Sequence, residues 1–318
     1  MRVSDGEVIL VSGLPGAPDR ERVRAAAPGA QVEFVDRLGE RPDLLARAVV
    51  VAGSPGPEDL VRAGALEWVH SWAAGVDAAL EGGLADHPAV LTSSVGNGAV
   101  PLAEHALLLM LMLDRDAPRW ARAQREHRWD RFTHGELKGR TLGIIGLGNS
   151  GLDLAAKAQA FHMRVVGLRR RADLPAPGVD RVYAARDLHA LLAESDFVVV
   201  TAPFTPATAG LIGDAEFAAM KDTAHIVSLS RGGIIDDDAL LRALTGGRIA
   251  GAGLDAHGVE PLPHDSPFWD LPNVVVTPHN GATTEATRRR GVDIFVDNLE
   301  RRTRGLALSN IVDKSAGY

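Results

Sequence analysis

Three segments in the last third of the chain carry side chains suited to proton chemistry on a small anion. SLSRGGIIDDDAL places Arg231 just after an apolar run, GLDAHGVEPLP places Asp255 and Glu260 after the next, and VVVTPHNGAT places His279 after the one following. Each has an ordinary reading when taken singly: a surface ion pair, a solvated loop acid, a polar loop histidine. Together they form a permanent cation, a carboxylate and an imidazole. That is the set that reduction of a 2-keto acid requires.

A second cluster lies upstream. GLGNSG puts glycines at 146, 148 and 151, with apolar TLGII before it, a helical pattern after it, and the strand-like MRVVGL about twenty residues on. In such a turn Gly146 permits the tight bend, Gly148 admits the backbone to a pyrophosphate, and Gly151 lets helix and sheet pack closely. The N–H groups of Asn149 and Ser150 would cap the phosphates at the helix N-terminus. A dinucleotide is therefore the expected ligand. The second strand ends in VVGLRRR, with Arg169, Arg170 and Arg171 where an NAD site would carry an acid for the ribose diol. Arginine cannot accept from a diol but pairs with a 2′-phosphate, so NADP(H) is favoured over NAD(H); a solvated basic corner is the competing reading.

These residues need strands that end beside one another. The first hundred residues alternate apolar runs (EVILVSG, QVEFVD, RAVVVAG, LEWVHSWAAG, AVLTSS) with helical stretches such as PDRERVRAAA. From Pro101 a long helical pattern begins, with Pro118 marking a kink or break. A second alternating block follows: TLGIIGLG, MRVVGL, DFVVVTAP, HIVSLS, RIAGAGLD and NVVVTPH, with EFAAMK and DDDALLRALTGG as helices between them. TTEATRRRGVDIFVDNLERRTRG closes the chain as an amphipathic helix. Strands spaced by helices imply βαβ units and parallel sheets, an α/β fold.

At 318 residues the chain suits two domains, and 46% hydrophobic with 24% charged residues is an ordinary globular composition. The formal charge of −7 argues against nucleic acid as partner. With no cysteine, disulfides, thiol nucleophiles and thiolate metal sites are excluded, and no metal site is expected. The first residues lack a signal-peptide pattern. The most apolar helical run, ALLLMLML, is far short of the ~20 residues that span a bilayer. A cytoplasmic protein with no membrane partner is expected.

The motifs GRTLGIIGLGNSG, TPATAGLIG, SRGGIIDDDAL, GLDAHGVEPLP and SPFWDLPNVVVTPHNGAT resemble those of the D-isomer-specific 2-hydroxyacid dehydrogenase family, which includes phosphoglycerate dehydrogenases and glyoxylate/hydroxypyruvate reductases. The likeness runs over nearly the whole chain and is densest from Glu104 to Ala282. It implies two Rossmann- or flavodoxin-like parallel-sheet domains with the active site in the cleft between them. The substrate-binding domain would be 1–100 with a return at 286–318, and the dinucleotide-binding domain 101–285. It implies His279 as the proton carrier, Glu260 orienting it and raising its pKa, and Arg231 binding and polarising a small 2-keto or 2-hydroxy acid. Ala74, Gly75 and Val76 match the family's carboxylate-binding turn, Asp255 the position near the nicotinamide amide, and Pro203, Thr208 and Ser230 the cofactor side. The helix from Pro101 would supply a homodimer interface, or lie buried within one monomer. Trp72 would either wall the pocket or belong to the core. The chain departs from the common pattern at Arg169, at His257, where an aromatic is usual, and at Ser230, where Ala or Gly is frequent. Two rival functions stay open: a dinucleotide-sensing, corepressor-like binding protein, against which the expected lack of an appended segment counts, and a same-fold oxidoreductase acting on another small anion.

Overall fold

The structure, a computed structural model, describes residues 6–13 and 16–318; part of the N-terminal stretch read above for a leader lies outside them. The chain divides into two compact units, one of residues 1–97 with 284–318, the other of residues 98–283.

The first unit holds β1 (Val8–Ser12), β2 (Gln31–Val35), β3 (Ala48–Ala52), β4 (Trp68–Ser71) and β5 (Val90–Ser93), ordered β2-β1-β3-β4-β5 and all parallel. β1 reads VILVS and is buried at all five positions, as a central strand covered on both faces must be. The long helix Glu285–Thr303 belongs to this unit. Its Val292, Phe295 and Leu299 pack with Ile9, Val11, Val50 and Trp68, all buried. Thr284 caps it, its hydroxyl oxygen accepting from the Thr287 N–H at 3.0 Å. Near the other end, the Arg302 guanidinium meets Glu7, side chains 2% and 3% exposed, and reaches Glu67 at 3.1 Å.

The second unit holds β6 (Thr141–Ile145), β7 (Arg164–Leu168), β8 (Arg181–Tyr183), β9 (Phe197–Val200), β10 (His225–Ser228), β11 (Gly251–Leu254) and β12 (Val274–Val276). The order is β12-β11-β10-β9-β6-β7-β8, again all parallel. The chain runs outward in one direction from β6 and then, from β9, in the other. The crevice at that reversal, beyond the carboxyl ends of the strands, is where open α/β sheets hold ligands.

The helix expected from Pro101 spans Ala99–Asp114, with the proline in its first turn. Its break is not at Pro118. Asp116 takes a left-handed backbone (φ 49°) and caps the next helix, Ala117–Arg125, with Pro118 inside the first turn. Ala103, Ala106, Leu109 and Met110 are buried in the core of this unit, while Leu108 is exposed. No helix among the described residues is long and apolar enough to cross a membrane. β8 was not foreseen; three residues at a sheet edge carry too little periodicity.

Removing one member of a buried ion pair strands the other charge, at a cost of about 3–5 kcal/mol. Arg302→Ala should destabilise the protein by that order in urea unfolding. Glu7→Leu combined with Arg302→Met should recover most of the loss; no recovery would mean the charges themselves are required.

Candidate active site

The glycine turn leaves β6 and folds back against the end of β9. Gly146 has φ 108°, and a Cβ there would come within 2.5 Å of the Ala202 nitrogen. A Cβ on Gly151 would come within 2.2 Å of the Gly146 carbonyl oxygen, so both positions exclude a side chain. The turn is held to β9 by the Thr201 hydroxyl, which donates to the Gly146 carbonyl at 2.6 Å. Gly148, by contrast, is exposed and faces open space. It precedes the helix Asn149–Ala160, whose first-turn N–H groups have no intrahelical acceptors. Arg169 follows β7 directly. Its Nε and Nη2 are shielded and meet no acceptor among the described residues, as is true of the Ser230 hydroxyl. Arg170 is exposed. Beyond β9, Thr208 closes a loop by donating to the Pro203 carbonyl at 2.7 Å and accepting from the Thr205 N–H at 2.8 Å. A bare glycine step, a helix N-terminus and a guanidinium with two unpartnered nitrogens follow β6 and β7, beside the sheet's reversal point. This donor set fits a dinucleotide.

The three strands on one side of the reversal deliver the candidate catalytic residues. Arg231 lies beyond β10, half-buried, with Nη1 donating to the Ser230 carbonyl at 2.9 Å. His279 lies beyond β12 and Glu260 beyond β11. His279 Nδ1 is 2.9 and 2.8 Å from the two Glu260 oxygens, and the side chains are 35% and 36% exposed. Glu260 Oε1 also accepts the His257 N–H at 3.0 Å. Burial acts to raise the Glu260 pKa. The His257 N–H, the imidazole bond and the nearby imidazole charge outweigh it and hold the carboxyl below its ordinary 4.5. An ionised carboxylate only accepts, so His279 Nδ1 carries hydrogen and Nε2 faces away from the pair.

Asp255 is 0% exposed and sits beneath the loop that carries His279. One oxygen accepts from the Thr277 hydroxyl at 2.7 Å and the Asn280 N–H at 3.0 Å, the other from the Gly281 N–H at 3.0 Å. Since Thr277 donates to Asp255, its oxygen must accept from His105 Nε2, 3.0 Å away. His105 and Thr277 were missed from the sequence. The one signal was a histidine inside the apolar run AEHALLLML. Among the described residues no group of three or more His, Asp and Glu is placed to hold a metal ion.

A sequence model described as the D-isomer specific 2-hydroxyacid dehydrogenase NAD-binding domain matches residues 107–281. Glyoxylate/hydroxypyruvate reductase B of Pectobacterium carotovorum is 40% identical over 248 residues, 75% of this chain and 74% of that protein. The chain belongs to the D-isomer-specific 2-hydroxyacid dehydrogenase family.

Within the family, D-3-phosphoglycerate dehydrogenase of Mycobacterium bovis is 38% identical over 91% of this chain and 52% of its own length. The chain thus spans about half the length of the phosphoglycerate dehydrogenases it matches. A crystal structure of a family member from Xanthobacter autotrophicus, in complex with NADPH and MES, superposes with a TM-score of 0.84 at 31% identity, covering 99% of this chain and 100% of that one.

In the first unit of this family member, the turn after β4 exposes Ala74 and half-buries Gly75, and Val76 is buried. None of the three main-chain N–H groups donates to an acceptor among the described residues. Trp72 is partly buried and packs against the core of this unit. Its indole N–H donates to the Ser12 carbonyl at 2.8 Å, and its ring packs edge-on against His70 and Phe295.

Because the folded Glu260 pKa is depressed, the pair contributes stability above the unfolded pKa and loses it as pH falls through the folded one. A carbon-13 titration of the Glu260 carboxyl should give a midpoint below 4.5, and below its own value in His279→Ala. A midpoint above 4.5 would mean burial dominates.

Proposed function

We propose that this chain is an NAD(P)-dependent reductase of small 2-keto acids, acting reversibly on D-2-hydroxy acids. The observation that carries the reading is the His279–Glu260 contact. With Nδ1 committed to the carboxylate, Nε2 is the ring nitrogen left to give a proton to a carbonyl oxygen and to take it back in the oxidative direction. When bound, the nicotinamide cofactor supplies or accepts the hydride. Arg231 pairs its planar fork with the substrate carboxylate and polarises the carbonyl as charge develops on oxygen. Glu260 keeps the imidazole in one tautomer and balances its positive charge.

The second unit is assigned to the dinucleotide. Gly146, Gly148, Asn149, Ser150 and Gly151 hold the pyrophosphate, and Pro203, Thr208 and Ser230 line the cofactor side. Asp255 acts here by shaping the loop under His279, within the region assigned to the nicotinamide. The first unit is assigned to substrate, with Ala74, Gly75 and Val76 offering N–H groups to its carboxylate. Arg169 and Arg170 favour NADP(H): Nε and Nη2 of Arg169 lack an acceptor among the described residues, and the Xanthobacter relative was crystallised with NADPH. A cytoplasmic homodimer goes with this reading, and light scattering should return the mass of two chains.

Turnover is followed by loss of reduced-nicotinamide absorbance with glyoxylate, hydroxypyruvate, pyruvate and longer 2-keto acids. His279→Ala should lower kcat by about 10²- to 10⁴-fold with NADPH affinity unchanged. Near-normal turnover would remove His279 from the mechanism, and cofactor binding with no turnover by the unaltered protein would favour a sensor. Arg169→Gln with Arg170→Gln should weaken NADPH by about tenfold while leaving NADH nearly untouched. Equal losses for both would remove the phosphate assignment.

A further inference from the structure

His257 touches all three segments that carry the proposed catalytic groups, yet no catalytic role has been given to it. It is 6% exposed, two residues past Asp255. Its main-chain N–H donates to Glu260 Oε1 at 3.0 Å. Its ring Nε2 lies 2.9 Å from the Thr277 carbonyl oxygen; a carbonyl only accepts, so Nε2 carries hydrogen and donates. Its own carbonyl packs over Gly232, next to Arg231, where a Cβ would approach within 1.9 Å. The neighbouring Gly258 N–H is held by Asp237 Oδ2 at 3.2 Å, which pins the same loop from the other side.

The two bonds from His257 run to the two halves of the proton-transfer pair. One ends on the Glu260 carboxylate. The other ends on Thr277, two residues before His279 and on the same strand exit. Thr277 is already fixed through its hydroxyl by Asp255 and His105, so the His257 bond to its carbonyl completes the hold on that residue. An aromatic ring in this slot would fill the space but would leave the Thr277 carbonyl without this donor.

We propose that His257 is a positioning residue for the His279–Glu260 pair, its ring N–H and main-chain N–H together setting the distance between carboxylate and imidazole. The inference rests on the acid–base reading of His279 given above. The hydrogen-bond donor, not the ring shape, is the feature required. This makes His257→Phe and His257→Gln a discriminating pair, since a glutamine side-chain nitrogen can occupy the place of Nε2 and donate from it.

The test uses the full, ligand-free chain with nitrogen-15-labelled histidine. Long-range proton–nitrogen correlation through the ring C–H groups reports the tautomer of His279, assigned by its loss in His279→Ala. The wild type and His257→Gln should hold His279 in the Nδ1–H tautomer, and His257→Phe should show a mixture. In turnover assays kcat should fall by about ten- to a hundredfold in His257→Phe and return in His257→Gln, with NADPH affinity unchanged in both. A His257→Phe protein with the wild-type tautomer and kcat would overturn the proposal. So would a folded His257→Gln protein that behaves like His257→Phe, or a wild type without the Nδ1–H preference. The tautomer measurement needs no turnover, so failure of the reductase reading would appear separately, as a protein with the expected tautomers and no activity on any 2-keto acid.

Discussion

A carboxylate with no exposure at all sits under the loop that leaves β12, and the aim of the His279 imidazole depends on how that loop satisfies it. Asp255 takes a hydroxyl from Thr277 and N–H groups from Asn280 and Gly281. Between them stands His279 with a left-handed backbone, φ 50°, a conformation that costs a residue with a side chain about 1–3 kcal/mol. The buried carboxylate offsets that cost, because straightening the loop would withdraw two donors from a carboxylate closed to solvent. His105 adds a second grip on the same threonine from the helix Ala99–Asp114, which is itself anchored in the core of its unit. The imidazole is thus aimed by the main chain before Glu260 touches it.

The chemistry then follows from sheet topology. Parallel strands put their carboxyl ends on one side, and β10, β11 and β12 are neighbours in the sheet. Arg231, Glu260 and His279 each follow one of them within a few residues, which places a cation, a carboxylate and an imidazole at one end of the sheet although they are spread through the sequence. Pro278 ends the ladder just before His279, which keeps that residue out of the sheet. On the other side of the reversal, β6 and β7 present the glycine turn and Arg169. One crossover in strand order therefore separates the half proposed for the phosphates from the half proposed for the proton.

Much of this was legible in the residues. The apolar runs at β1, β6 and β9 are buried at every position, and such runs announce covered parallel strands. The GLGNSG turn was readable because Gly146 and Gly151 are positions where a Cβ collides with backbone. What stayed hidden was contact between distant positions. His105 and Thr277 lie 172 residues apart, and neither spacing nor composition joins them. Asp255 stood out as an acid at a strand end, but its buried service to the His279 loop depends on backbone direction, which sequence does not display. The helix break fell at Asp116 because an N-capping carboxylate in a left-handed conformation stops a helix as firmly as proline does. Pro118 simply fits the first turn that follows.

In the proposed reaction hydride passes directly to the 2-position of a keto acid, and the aimed imidazole supplies the proton. The most direct measurement is the reduction of a 2-keto acid with NADPH deuterated at C4 of the nicotinamide, followed by chiral analysis of the product. Deuterium is expected on C2 of a D-2-hydroxy acid. A product of the L configuration, or one whose C2 hydrogen comes from solvent, would contradict it.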